Sequence, residues 1–220
     1  MKARILTALA CIVVVLPAHA AAVMTASQIY RSCRAPKESS SYTYCRAYIA
    51  GFFDGFRVGA DAGSPNEFCP GPGLTADKIW RKIERSLKPH RGQHIDELGV
   101  TILPETLMPA YRCKGGNNNS TKRADTPSTS EIYAACQSPK NSSSHTFCRG
   151  YLEGHLDGFD TGLEGMRPMR FCPEARLTAE NIWVKVEPSL KPGEGRVGNE
   201  AADAVLAETL FKAYPCEKPK

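Results

Sequence analysis

The sequence lacks the signatures of most common chemistry. No Gly-x-Ser-x-Gly elbow and no glycine-rich phosphate loop occurs in its 220 residues, which removes the usual routes to a hydrolytic serine and to nucleotide binding. Histidine is scarce, at five residues. A net charge of +5 is too small for a chain that grips nucleic acid through its phosphates. No apolar run reaches the roughly 20 residues of a membrane-spanning helix. Apolar residues are not in short supply, however: 42% hydrophobic against 23% charged excludes a disordered polymer and allows a packed core.

What stands out is cysteine, nine in all. The first twenty residues read as a secretory signal peptide: Lys2 and Arg4, an apolar stretch from Ile5 to Leu16, then Pro17 and the small-residue ending Ala18-His19-Ala20. Cleavage after Ala20 takes Cys11 with it and leaves eight cysteines, an even number suited to disulfides in an oxidising compartment. The short apolar stretch and its ending suit bacterial export, so the expected location is the periplasm. With every remaining cysteine paired, no catalytic thiol is expected.

The eight cysteines form two sets, Cys33, Cys45, Cys69, Cys113 and Cys136, Cys148, Cys172, Cys216, each of the second lying 103 residues after its counterpart. At that offset, without gaps, Ser27–Cys113 and Ser130–Cys216 are identical at 42 of 87 positions. So long a period means a duplicated domain, since solenoid units run about 20–50 residues. The expected organisation is a signal peptide over 1–20, a first domain over 25–113, a linker over 114–127 and a second domain over 128–217. The linker, KGGNNNSTKRADTP, is rich in Gly, Asn and polar residues and reads as flexible and exposed.

Periodicity puts four helices and no strand in each half. The expected fold class is therefore all-α: two tandem disulfide-stapled four-helix domains after a cleaved signal peptide. The first helix runs over 27–33 and the second over about 43–62, stopping before Pro65. Thr75 and Thr178 are N-caps for the third, with Asp77 and Glu180 in the first turn where the helix dipole favours acids. Ile79, Trp80, Ile83 and Leu87 line one face of it, as do Ile182, Trp183, Val186 and Leu190. The fourth covers roughly 97–111 and 200–214. Pro104 and Pro109 are expected to kink or delay its first version, and Pro188 to kink the second half's third helix.

An up-and-down helix order selects one of the three pairings that four cysteines allow. It sets Cys33 and Cys45 at one end of the domain and Cys69 and Cys113 at the other, with Cys136–Cys148 and Cys172–Cys216 as their equivalents. On the second helix Gly51, Gly55 and Gly59 fall on one face, matched by Gly154, Gly158 and Gly162. Each costs a helix about 0.5–1 kcal/mol relative to alanine. Such a row implies close approach of another backbone, a neighbouring helix by preference over a ligand or partner.

Candidate chemistry is thin. Asp54 and Asp157 recur inside G-x-x-D-G-F, but one recurrent aspartate per half is a thin constellation and suits a structural hydrogen bond better than acid–base work. His90 and His94 are four apart, yet Pro89 and Gly92 make this a loop rather than a metal-binding helix. No cofactor and no metal is expected. Removing Lys2 and Arg4 lowers the net charge from +5 to +3. Residues 23–113 carry twelve Lys and Arg against nine acids, or +3, and 128–220 carry eleven against thirteen, or −2. That contrast suits either docking of one half on the other or two different surfaces for a partner.

The order of motifs, C-R-x-Y-x-x-G-x-x-D-G-F, F-C-P, L-T-A-x-x-I-W, S-L-K-P and a closing A-Y-R-C or A-Y-P-C, resembles the Rap/Tai immunity domain over nearly all of both halves. The resemblance implies small helical periplasmic proteins with paired disulfides that bind and neutralise peptidoglycan amidase effectors of type VI secretion. It also implies homodimers for some members, of which two halves in one chain would be a covalent version, a pseudo-dimer. The expected function is thus a non-enzymatic immunity protein that occludes its partner's active site. The alternative is a housekeeping envelope scaffold or small-molecule binder that keeps the domain without an antitoxin role. The loops after the third helix, 90–95 and 193–198, differ most between halves. His90, Arg91 and His94 are accordingly the expected partner-binding residues.

Overall fold

The structure, a computed structural model, describes residues 24–63, 68–88, 97–113, 123–163, 171–173, 177–193 and 198–216. The expected signal peptide and the loop bearing His90, Arg91 and His94 lie outside the described residues. The described residues form eight helices in order: α1 (Ala26–Cys33), α2 (Ser40–Gly63), α3 (Ala76–Leu87), α4 (Gly99–Ala110), α5 (Thr129–Gln137), α6 (Ser143–Leu163), α7 (Ala179–Leu190) and α8 (Ala202–Ala213). Among the described residues there is no strand, and the fold is all-α in two tandem domains.

Local chemistry explains the boundaries. Thr25, Ser128 and Thr178 each form a reciprocal capping box with the residue three positions on, and Thr75 caps α3. Ile79, Ile83 and Leu87 on α3 are buried, as are Ile182, Val186 and Leu190 on α7, the one-sided burial that an amphipathic helix needs. Trp80 and Trp183 lie at the edge of that stripe, their rings 6.3 and 6.0 Å from those of Tyr30 and Tyr133. The prolines do not break or delay their helices. Helix α4 contains Pro104 and Pro109, yet it starts at Gly99, the exact counterpart of Ala202 in α8, so nothing is delayed. Both prolines and Pro188 sit inside continuous helices, five, ten and nine residues past the helix start, where each forgoes a backbone hydrogen bond.

Each half has its own apolar core. Two cystines clamp each: Cys33–Cys45 and Cys69–Cys113 in the first, Cys136–Cys148 and Cys172–Cys216 in the second. These are the pairs that the up-and-down order selects, and none joins one half to the other. The halves meet along α2 and α6, which run parallel. A Cβ on Gly55 would come within 2.0 Å of the His155 carbonyl oxygen, and one on Gly158 within 2.0 Å of that of Phe52. Gly51, Gly154, Gly59 and Gly162 make similar approaches to backbone across the seam. The glycine row therefore serves helix packing, and the neighbour is the matching helix of the other half.

The expected flexible linker needs correction at its C-terminal end. Residues 114–122 lie outside the described residues, but Arg123 is buried and the Ala124 amide donates to the Leu74 carbonyl at 2.8 Å. Its composition suggested exposure; a buried acid on α2 draws the chain in instead.

Candidate functional site

The two recurrent aspartates sit at the α2–α6 seam. Asp54 is fully buried and accepts from Arg123 through Nε at 3.1 Å and Nη2 at 2.9 Å, from the Tyr151 hydroxyl at 2.9 Å and from Thr126 at 3.2 Å. Burial pushes its carboxyl above the ordinary value, against the pull of Arg123. Burial likewise works against the Arg123 charge, but Asp54 outweighs it and holds the guanidinium above its usual range. The Tyr151 hydroxyl is held well above its usual value by burial and the Asp54 charge, so it stays protonated and donates. On the opposite side of the seam the Tyr48 hydroxyl donates to Asp157 at 2.8 Å. Each aspartate thus ties its own helix to a tyrosine of the other half. With every approach to Asp54 taken by a protein donor, this is a joint and not a reaction centre.

Two further contacts cross the seam. The Tyr44 hydroxyl donates to Glu153. Arg57 reaches both Asp61, at 3.0 Å, and the buried Asp203 of α8, at 2.5 Å. His155 lies close by, fully buried, and neither ring nitrogen has a hydrogen-bond partner among the described residues. Burial and the Arg57 charge hold its pKa down to about 4, against the pull of Asp203.

A surface candidate lies elsewhere, on the second half. Between α5, α6 and α7 is a groove of about 340 Å³, floored by the Cys136–Cys148 cystine and Leu152. Its apolar rim is made by Trp183 and by Val184, which is 68% exposed. Lys140, Arg149 and Glu180 add charge around it. His145 stands in its wall, its Nδ1 buried and without a hydrogen-bond partner among the described residues.

The first half differs at the same places. There Tyr42 and Arg81 stand where the second half has His145 and Val184. Arg46 hydrogen-bonds Asp77 and lies 6.0 Å from the Tyr42 ring centroid. Its equivalent Arg149 is held only loosely, 3.6 Å from Glu153 and 3.7 Å from Glu180, and is 47% exposed. Rim charges this weakly tied are available to a partner at little cost. Sequence reading missed the groove. Its one signal was Val184, an apolar residue on the face where the other half carries Arg81.

No helix among the described residues is long and apolar enough to cross a membrane. A family model for Rap1a immunity proteins matches residues 25–113 and again residues 128–216. Comparison with curated proteins and with solved structures returns no match.

Proposed function

We propose, from the premise that this chain belongs to the Rap1a immunity protein family in both of its halves, that it protects its producer by occluding a peptidoglycan amidase effector. Immunity-type protein binding is what the family stands for, and its members are generally non-catalytic. The amidase target, its delivery by type VI secretion and the periplasm as the place of encounter are our reading. Four cystines suit a compartment outside the reducing cytoplasm.

The observation that carries the reading is the second-half groove. An exposed valine beside a tryptophan edge, with loosely held charge around it, is the anatomy of a protein contact: an apolar centre with a polar rim. About 340 Å³ accommodates one or two side chains of a partner loop, at the low end of small-molecule sites. The cystine beneath it restrains the groove, which limits the ordering cost of association. We further propose that His90, Arg91 and His94, on the loop after α3, extend the contact. The tandem chain then acts as a covalent pair of family domains, a pseudo-dimer.

Co-expression with the cognate amidase tests this. The native chain should prevent lysis and co-elute with the enzyme. Val184→Glu with Arg149→Glu should weaken binding by on the order of 100-fold, and replacing His90, Arg91 and His94 together with alanine should weaken it less. Lysis despite abundant folded protein, with no complex on a sizing column, would refute the immunity reading. Full protection by the groove variant would refute the groove.

A further inference from the structure

The seam is two-fold alike in its glycines and in its Tyr–Asp bonds, but two polar pairs break the likeness. Tyr44 donates to Glu153, and Arg57 holds Asp203. At the offset of 103 residues the mirror positions of these pairs are Phe147 with Ala50 and Asp160 with Val100. In both pairs the donor comes from the first half and the acid from the second. Arg123 is one-sided too, because the position 103 residues before it is Ala20.

We propose that these residues form a pairing code: the α2 face of the first half accepts the α6 and α8 faces of the second half and rejects a copy of itself. A pair of second halves in this geometry would set Asp160 against the buried Asp203 twice, and Phe147 against Glu153. A pair of first halves would set Arg57 against Val100 and leave Asp54, fully buried, without Arg123. A buried charge stripped of its partner is strongly unfavourable, so specificity comes from penalising like pairs as much as from favouring the unlike one. The opposite net charges of the halves point the same way. Duplication produced two interchangeable domains; divergence at the seam made them a matched pair.

The full chain provides the test. A protease site placed within 114–122 is cut after folding. Each cystine lies inside one half, so the fragments are then held by the seam alone. The cut protein is taken apart in urea with its cystines intact, returned to buffer, and the pairs are weighed by native mass spectrometry. Unlike pairs should exceed their random share over like pairs by at least about 100-fold. A random mixture, or halves that return as separate monomers, overturns the proposal. Asp160→Arg, at an exposed site, gives the second half the arginine that its own Asp203 needs in a like pair. Pairs of second halves should then rise by roughly tenfold or more. No rise in those pairs overturns the code even if the native result is as expected.

Discussion

At the scale of single residues, the seam depends on charges that water no longer reaches. Among the described residues, Arg123 supplies two of the four hydrogen bonds to Asp54 and its one compensating positive contact. Arg123→Ala should therefore cost about 3–5 kcal/mol, because it leaves a buried carboxylate uncompensated, while Asp54→Leu with Arg123→Met should cost much less. Urea denaturation of the three proteins checks this. A single-variant loss below about 1 kcal/mol would mean that water reaches the carboxylate. His155 makes a pH prediction. Its pKa lies near 4 in the folded chain and about 6.5 in an unfolded one. The unfolded chain thus binds the extra proton first as pH falls, so stability is full above about 6.5 and declines by about 3 kcal/mol toward pH 4. Phe52 holds the corresponding place on α2. His155→Phe should accordingly flatten the stability curve over that window, as chemical denaturation at a series of pH values will reveal.

At the scale of helices, the glycine rows reverse an ordinary rule. Glycine to alanine within a helix normally gains about 0.5–1 kcal/mol. At Gly55 or Gly158 the new methyl meets a backbone carbonyl rather than a movable side chain, so α2 and α6 must separate. Gly55→Ala and Gly158→Ala should each destabilise by about 1–3 kcal/mol or more, whereas Gly71→Ala, which meets nothing, should be neutral in the same thermal melts. The row itself was legible in the sequence, as were the caps at Thr75 and Thr178, because both depend on local geometry. Which helix filled the row was not legible, since a glycine face accepts any backbone of suitable pitch. Arg123 was hidden for the opposite reason. A single arginine in KRADTP carries no periodic signal, and its burial is decided by an acid 69 residues away.

At the scale of the whole chain, duplication supplies an internal control for function. The repeat, the all-α class and the cystine pairing could be read from the sequence because the 103-residue period constrains them together. The groove could not, for it arises from a few substitutions on a shared scaffold: Val184 for Arg81, His145 for Tyr42, and an arginine that one half ties down and the other leaves loose. Cys33–Cys45 and Cys136–Cys148 close loops of the same separation, 12 residues. Removing either with paired alanines should cost about the same stability, roughly 3 kcal/mol on the chain-entropy estimate. Only the second cystine floors the groove. Cys136→Ala with Cys148→Ala should therefore lose effector binding in calorimetric titration, at a temperature where both variants are folded, while Cys33→Ala with Cys45→Ala should keep it. Equal losses from the two pairs would move the contact off the groove, to the loop after α3 or to the seam, because equal stability with equal binding is what a purely structural cystine gives.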